Sequence, residues 1–459
     1  MSLPASLQHA FAAGEQAAID PELIETAAFP ATREHLTMVL LGDSEGRLQA
    51  IIPTDCLLDV DRLNQATGRS LRALSLKEVR RLQGKYQLQR IPPVPRLTGL
   101  ETIVARQCDE CAQVCFESGA SQLGLRLERA QFQAMVGDAK RLDIAVPLSQ
   151  IAINLDAPEK DLDQIARAVE KFTSMRIQQR LEDTLELPPL PETAQRIIHL
   201  RVDPNAEVGD LADIVEADPS LAAQVVSWAS SSFYAAPSPV QSIYDAIMRV
   251  LGFELVMNLA MGLSLGRTLQ QPKDAPDGYM GYWQGAIWMA QAAGAITSLM
   301  PRKSRPAYGL AYLSGLLHNF GYMVLAHIFP PHFSLICRYV EANRHVDTAY
   351  IEHYLLGLTR EQIGSQLMQV WGMPDEVVTA LRHQKNPDFD GENAAYSRIL
   401  HLGRQMLIAR GIDLGPKQPI DDNLFEQLEL ARDEVEEAMD ELVDNRESVF
   451  AMAGMMQQG

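Results

Sequence analysis

Short apolar runs between turn residues mark the first third of this 459-residue chain. Residues 37–155 contain the runs TMVLLGDSEGRLQAIIP, TIVARQ, CFESG, LGLRLERAQF and LDIAVPL. Such runs predict β-strands, and the segment from Asp43 to Gly46 is typical of a hairpin turn. Apolar spacing over residues 57–67 and 75–82 predicts helices between the strands. The pattern therefore indicates an α+β domain.

The hydrophobic period changes after residue 153, where the polar segment NLDAPEKDLD begins. The apolar residues that follow are spaced by three and four, which predicts a helix: Leu162, Ile165, Val169 and Phe172. Two heptads are too short to specify a coiled coil. We interpret residues 154–184 as a connecting helix packed on its neighbours, with a dimerising or signal-transmitting helix as the alternative.

Residues 185–410 show helical spacing punctuated by proline and glycine, without a strand pattern. Proline recurs at predicted first helical turns, where its missing N–H costs nothing, as at Pro191, Pro219 and Pro374. The predicted helices cover residues 192–200, 207–217, 219–229, 240–251, 254–268, 282–300, 309–328, 332–343, 348–356, 360–371, 375–382 and 394–410. This region is predicted to be an all-α domain.

The C-terminal segment, residues 411–459, is predicted to hold an acidic helix and a tail. Residues 421–447 contain 12 acidic side chains and two arginines. Apolar residues repeat there at spacings of four and three, from Leu424 to Leu442, so one helix face is apolar and the rest acidic. We expect this helix to pack on the protein, with dimerisation or a basic partner as the alternative, and the final residues to fray.

Composition excludes several classes of protein. With 47% hydrophobic and 22% charged residues the chain is not generally disordered. Its net charge of −19 argues against binding to nucleic acid or anionic membranes through bulk charge, although the acidic tail carries −10 of it. Five cysteines are too few for a disulfide scaffold, and no secretory signal or transmembrane run is evident. We therefore expect a cytoplasmic protein.

Several motifs that follow one another over about residues 185–410 resemble those of a known protein family. The segments are LELPPLPETAQRIIHL, IVEADPSLAAQVVSWASSSFY, PVQSIYDAIMRVLGFELVMNLAM, YWQGAIWMA, AYLSGLLHNFG and REQIGSQLMQVWGMPDEVVTALRHQ. Together they resemble HDOD domains, output modules of bacterial signalling related to HD-type metal phosphohydrolases. The resemblance implies a helical fold and, in the hydrolases, one or two metals held by histidines and aspartates.

The metal-ligand pattern of the hydrolases is incomplete here. The His-Asp pair reads His318-Asn319, and a neutral amide is a weak ligand for a dication. Where a third histidine is expected, Arg360 would oppose a metal directly. We expect no metal, no cofactor and no catalytic residue, and we interpret His318, Asn319 and His383 as a vestige of the HD site. Arg360 and Arg382 stay candidates for contact with an anionic ligand such as a nucleotide.

Residues 31–153 resemble the YbaK family of aminoacyl-tRNA deacylase-like domains. The matching segments are LTMVLLGDSEGRLQAIIPTDCLLDVDRLNQATG, SLKEVRRL and CDECAQVCFESGASQLGLRL. The family's deacylases use a lysine on the strand that corresponds to residues 36–40, but this chain has no lysine before Lys77. His35 is a poor substitute because imidazole is shorter and only partly charged at neutral pH. We expect no editing of tRNA.

Three cysteines cluster at Cys108, Cys111 and Cys115. A thiolate pair at such spacing can bind zinc or act as a redox switch, but a structural zinc needs four ligands. If the segment were helical, Cys111 and Cys115 would share a face. We expect buried, unreactive thiols, with the metal or redox role as the alternative.

The sequence as a whole predicts a multidomain bacterial signalling protein. Residues 1–30 form an N-terminal segment, and the YbaK-like domain, the connecting helix, the HDOD domain and the acidic segment follow in that order. We expect a non-enzymatic regulator that binds signalling proteins or a nucleotide ligand, with neither a membrane nor nucleic acid as a partner. The alternatives are a metal-dependent phosphohydrolase and a tRNA deacylase, and homo-oligomerisation stays open.

Overall fold

The structure, a computed structural model, describes residues 3–12, 19–25, 31–120, 122–177, 189–230 and 239–457. Its first part is a mixed α and β region, and its second part is helical. The end of the predicted connecting helix, residues 178–184, lies outside the described residues, as do some residues of the N-terminal segment.

The N-terminal part combines short strands with short helices. Its strands are β1 (Glu22–Glu25), β2 (Leu36–Asp43), β3 (Gly46–Pro53), β4 (Cys56–Leu58), β5 (Arg72–Ala73), β6 (Glu101–Ala105), β7 (Gln113–Glu117), β8 (Leu123–Glu128), β9 (Lys140–Leu142) and β10 (Ala145–Pro147). Its helices are α1 (Ala5–Ala12), α2 (Val60–Thr67), α3 (Leu76–Tyr86), α4 (Pro95–Thr98) and α5 (Arg129–Val136).

The main sheet has the strand order β5-β2-β3-β6-β9. Strands β2 and β3 pair antiparallel, whereas β6 runs parallel to both β3 and β9. A second, antiparallel sheet has the order β1-β8-β7, and β4 pairs with β10. Residues of β3, including Ala50 and Ile51, are fully buried, so the apolar core lies along the central strands.

The predicted hairpin is confirmed, and its turn has a clear cause. The carboxylate of Asp43 accepts hydrogen bonds from the backbone N–H groups of Glu45 (2.9 Å) and Gly46 (3.2 Å). Gly46 has a φ of 138°, a conformation that side chains disfavour. The guanidinium of Arg69 also binds Asp43, and it holds the pKa of that carboxyl well below its usual value.

The predicted connecting helix is present as α6 (Asp161–Ile177), but the predicted apolar stripe was partly wrong. Leu162 is 63% exposed, whereas Asp161 is fully buried. Phe172 packs against Phe329 of the helical part, with ring centroids 5.6 Å apart. The buried face is thus rotated by one residue, because it is organised around a buried carboxylate that sequence periodicity does not register.

The C-terminal part is built from helices, as predicted. They are α7 (Glu192–Val202), α8 (Val208–Glu216), α9 (Pro219–Ala229), α10 (Ile243–Asp245), a π-helix (Ala246–Leu251), α11 (Phe253–Gly266), α12 (Tyr282–Leu299), α13 (Tyr308–Leu317), α14 (Phe320–Ile328), α15 (Pro330–Ala342), α16 (Thr348–Leu356), α17 (Arg360–Val370), α18 (Asp375–His383) and α19 (Ala394–Ala409).

The single helix predicted for residues 309–328 is wrong, because the chain breaks between α13 and α14. Asn319 leaves the helical region with φ −108° and ψ 19°. Just after the break, a side-chain carbon on Gly321 would lie 1.9 Å from the carbonyl oxygen of Arg360. The glycine therefore allows α14 to approach the backbone of α17 closely.

The acidic segment is three helices and not one: α20 (Asp422–Gln427), α21 (Arg432–Asp444) and α22 (Arg446–Gln457). The chain turns at Glu429, which has a φ of 53°. Leu424, Met439 and Met452 are buried, so all three helices cover apolar surface. The three helices pack on the protein, in line with the expectation, and α22 extends to Gln457 within the segment expected to fray.

The two parts of the chain also meet directly, which the sequence did not predict. Asn343, at the end of α15, accepts a hydrogen bond from the backbone N–H of Leu58 (2.6 Å) and donates one to its carbonyl (3.1 Å). The hydroxyls of Tyr339 and Tyr354 donate to the two oxygens of Asp59, at 2.9 and 2.7 Å. These buried polar bonds define the interdomain seam.

Candidate functional site

A small void, called here the central cavity, lies inside the helical part. It is bounded by the first turns of α12, α16 and α17, by the break between α13 and α14, and by α19. Its volume is about 40 Å³, enough for about three water molecules, since each needs roughly 10–15 Å³. His318 and Asn319 both line it, so the structure brings these two predicted residues together.

His318 is held by backbone groups at the helix break. Its Nδ1 lies 2.8 Å from the carbonyl oxygen of Gly315, and its own carbonyl accepts a hydrogen bond from Gln384 at 2.8 Å. Burial lowers the pKa of His318 to about 4, although the bond to Gly315 acts in the opposite direction. The ring is therefore neutral at pH 7.

Arg360 occupies the position beside Asn319. Its guanidinium donates to the Asn319 side-chain oxygen at 2.9 Å and to Glu352 Oε1 at 2.5 Å, and it lies 5.1 Å from the centre of the Tyr322 ring. Glu352 also accepts the backbone N–H of Arg360 at 2.9 Å. Burial opposes the charge of Arg360, but Glu352 outweighs that effect and holds the pKa of Arg360 well above its usual value.

A second set of charges lies beside the cavity. Asp347 pairs with Lys385 at 2.7 Å and with Arg404 at 3.0 Å. Lys385 also meets Glu361 at 3.1 Å, and Arg404 meets Asp413 at 3.2 Å. Each cation in this set thus has a carboxylate partner in the cavity wall.

These pairs fix the protonation states of the cavity. Burial alone would raise the pKa of Asp347, but Lys385 and Arg404 outweigh burial and hold it well below the usual value. Burial likewise would lower the pKa of Lys385, yet Asp347 and Glu361 keep it raised. The cavity wall is therefore a set of charged pairs that neutralise one another internally.

The residues present do not fit a divalent metal ion. A metal bound by Asn319 would meet the fixed positive charge of Arg360, whose nitrogen already lies 2.9 Å from the amide oxygen. Within the parts of the chain that the structure describes, no group of three or more His, Cys, Asp or Glu side chains could hold a metal. His401 lies nearby, but its Nδ1 is 3.0 Å from the Gln384 carbonyl oxygen.

Arg382 and His383 do not line the cavity. They lie near the start of the connecting helix α6 and the residues that precede it. Arg382 donates to Asp161 at 2.5 Å and to the carbonyl of Asn154 at 2.9 Å. The ring of His383 stacks on Phe389 at 3.7 Å, and burial, together with Arg382, lowers its pKa to about 4. The structure therefore gives Arg382 a docking role for α6 and separates His383 from His318 and Asn319.

The three clustered cysteines are buried and free, like the other two. Cys108 lies in a 3₁₀ turn and Cys115 in β7, so the cluster is not on one helix. Burial raises the pKa of Cys108, Cys111 and Cys115, and high-pKa thiols react slowly because the thiolate is the nucleophile. The metal or redox role of this cluster gains no support from this geometry.

Sequence reasoning singled out Arg360 but missed the second set of buried charges. Arg404 lies in a segment that the sequence assigned to a helix, and Asp347 and Lys385 lie just outside the predicted helices, all three without a predicted chemical role. A signal was present, since charged residues are almost never fully buried unless they are paired. The partner of a given charge, however, depends on how separate helices pack.

Comparisons with known proteins agree with this helical architecture. A model of the HDOD domain family matches residues 187–387. One similar chain, from Marinobacter aquaeolei VT8, has a known crystal structure and is named as a proposed signal transduction protein. It is 53% identical to this chain. The match covers 99% of this chain and 100% of that chain, with a TM-score of 0.90.

This chain therefore contains an HDOD domain, at residues 187–387. An HDOD domain protein of unknown function from Geobacter sulfurreducens shares the fold, with a TM-score of 0.51 and 20% identity over 63% of this chain and 97% of that one. An uncharacterised protein of Treponema pallidum (strain Nichols) is 24% identical over 216 residues. That match spans 46% of this HDOD protein and only 39% of the Treponema protein.

The HDOD match places the central cavity, up to Lys385, inside the family domain. The mixed sheet and the acidic helices lie outside the matched residues. Across the described parts of this HDOD protein, no helix is both long enough and apolar enough to cross a membrane.

Proposed function

We propose that this HDOD protein is a regulatory protein of bacterial signal transduction that acts by binding other proteins and not by catalysis. The observation that carries the proposal is the guanidinium of Arg360, which binds Asn319 and Glu352 where the HD resemblance would place a metal. A buried cation in that position repels a second cation strongly in a medium of low dielectric constant.

The size of the central cavity supports the same proposal. A void of about 40 Å³ is far below the 300–1,000 Å³ typical of small-molecule sites. A nucleotide would have to displace Arg360 or Lys385, and each of these cations would then leave a buried carboxylate unpaired. This disfavours the cavity as the nucleotide site that the sequence left open.

For the N-terminal part we infer a YbaK-like domain that is retained as an input or scaffold. The motifs over residues 31–153 support this inference, although β2 lacks the lysine of the deacylases and has only His35 directly before it. Thr32 Oγ1 lies 2.8 Å from His35 Nδ1, so the ring is held locally. We propose a cytoplasmic location, which five free cysteines support because they suit a reducing compartment.

The experiment that tests the proposal is a turnover assay on purified protein. The protein is incubated with Mn²⁺, Fe²⁺ or Mg²⁺ and a cyclic dinucleotide, and in parallel with mischarged tRNA. We expect no hydrolysis above that of His318→Ala, a variant that lacks the histidine of the vestigial HD pair. Metal-dependent turnover by the wild-type protein that this variant lacks would establish a phosphohydrolase, and deacylation of the tRNA would establish an editing enzyme.

A further inference from the structure

A second and much larger void, called here the interdomain cleft, lies between the two parts of the chain. Its volume is about 500 Å³, within the roughly 300–1,000 Å³ range of small-molecule sites. One wall comes from β2 and residues 90–93, and the opposite wall comes from residues 341–345 and 415–418. A ligand in this cleft would therefore touch both parts at once.

The wall from the N-terminal part is mainly apolar. Met38, Leu74, Ile91 and Phe116 contribute side chains to it. Met38 and Ile91 are half-buried, so they present apolar area that a ligand could cover. Covering such area is favourable by about 25 cal/mol per Å².

The opposite wall carries two cations, the partly buried Arg344 and the exposed Lys417, and neither has a described carboxylate closer than 4.0 Å. Arg344 donates to the carbonyl of Asp277 at 2.8 Å, but the carboxylate of Asp277 is 4.0 Å away. Lys417 donates to the carbonyl of Ala409 at 3.2 Å and has no carboxylate partner among the described residues. Burial lowers the pKa of Arg344, and the nearby acids do not offset this, so a further anion would stabilise the guanidinium.

The acids of the cleft are already engaged. Glu117 pairs with Arg90 at 2.8 Å. Glu341 pairs with Arg338 at 3.2 Å and accepts the backbone N–H of Asp277 at 2.8 Å. The remaining positive charge of the cleft therefore belongs to Arg344 and Lys417, in a protein whose net charge is −19.

We propose that the interdomain cleft binds a small organic anion with an apolar body. The anionic group faces Arg344 and Lys417, and the apolar body covers Met38 and Ile91. Because the ligand contacts both walls, its binding favours the docked arrangement of the two parts over any separated one. This site goes beyond the proposed function, since binding here requires neither a protein partner nor the central cavity.

The test uses 8-anilinonaphthalene-1-sulfonate, a fluorescent anion with an apolar two-ring body, on the folded full-length protein. We expect saturable binding at one site per chain. Arg344→Gln should weaken it about tenfold, the equivalent of about 1.4 kcal/mol, and Lys417→Gln about threefold. N-phenyl-1-naphthylamine, the uncharged analogue, should bind both variants as it binds the wild type.

Three further variants complete the test. Lys303→Gln removes an exposed lysine outside the cleft and should leave sulfonate binding unchanged. Met38→Trp and Ile91→Trp, which partly fill the cleft, should weaken binding of both dyes, and circular dichroism would verify that each variant is folded. Equal binding by the wild type, Arg344→Gln and Lys417→Gln, or full binding by either folded tryptophan variant, would overturn the proposal.

Discussion

The central cavity and the interdomain cleft differ in size and in charge balance. Every cation described in the wall of the central cavity has a carboxylate partner within 3.2 Å, and the void has room for only a few waters. In the interdomain cleft, Arg344 and Lys417 lack close carboxylates, and about 500 Å³ is open. The comparison teaches that buried charge alone does not mark a binding site.

What distinguishes the two voids is whether the charges are neutralised by the protein itself. A buried ion pair that is complete serves packing, and removing one partner leaves an uncompensated charge. A cation that lacks a partner can instead gain one from a ligand. Substitutions at the central cavity should therefore change the stability of the protein, and substitutions at the cleft should change ligand binding.

The largest expected effect comes from Glu352→Gln, which keeps the size of the side chain but removes its charge. Arg360 would then be buried without its carboxylate, and we expect the free energy of unfolding to fall by about 3–5 kcal/mol. Urea denaturation measures this change. Asp163→Asn is the control, since its pair with Arg167 is about 78% exposed and should contribute less than about 0.5 kcal/mol. A loss below about 1 kcal/mol for Glu352→Gln would show that the cavity pairs are not structural.

Asn343→Ala should have the next largest effect, because it removes two hydrogen bonds of the interdomain seam. The backbone N–H and carbonyl of Leu58 would lose their partners, at a cost of about 2–4 kcal/mol in total. All four tryptophans lie in the helical part, so fluorescence reports on that part and circular dichroism on the whole chain. We expect the two urea transitions to separate in this variant.

Asn445→Ala is the matched control for the seam, because its side chain donates only to the Glu441 carbonyl at an exposed position. Its transitions should coincide with those of the wild type. If the transitions of Asn343→Ala also coincided at unchanged stability, the seam would not hold the two parts together.

A smaller effect is expected from pH. Burial lowers the pKa of His318 in the central cavity and of His345 at the seam to about 4, against 6.5 for an exposed histidine. The unfolded chain then binds more protons, so stability is full above pH 6.5 and falls as pH drops towards 4, by about 1.4 kcal/mol per pH unit at most per histidine.

His318→Gln and His345→Gln each remove one titrating group, so each should flatten the dependence of the urea midpoint on pH between 6.5 and 4.5. His9→Gln changes an exposed ring and serves as the control. An unaltered pH dependence in both buried variants would mean that other groups control acid sensitivity.

The smallest effect is predicted for the cleft. Lys417→Gln should change the free energy of unfolding by less than about 0.5 kcal/mol, because surface substitutions away from buried networks have small effects. Lys385→Gln, by contrast, would leave Asp347 and Glu361 without their shared cation. Similar losses in the two variants, measured by urea denaturation, would remove the distinction between the two voids.

The sequence predicted the elements well where periodicity decides them. The hairpin at Asp43 and the helices of the HDOD domain follow from turn chemistry and from apolar spacing. The break at Asn319 was missed, because it depends on the close approach of Gly321 to the backbone of Arg360. The turn at Glu429 was missed as well, since an unbroken apolar repeat continues through it.

For the site, the sequence indicated His318, Asn319 and Arg360, because they differ from the HD pattern at defined positions. It grouped His383 with them, although that ring lies against Phe389. The interdomain cleft was not predicted at all, since its walls are separated by some 300 residues of sequence, from Met38 to Arg344. Such juxtapositions follow from tertiary packing and not from local pattern.

Metal stoichiometry tests the central claim most directly. The full-length protein is incubated with excess Mn²⁺ or Fe²⁺, desalted, and measured for bound metal by mass spectrometry, with its circular dichroism recorded alongside. Because Arg360 already binds Asn319 and Glu352, we predict that neither metal is retained in stoichiometric amount. Retention of one or two metal ions per folded chain, lost in His318→Ala, would contradict the account.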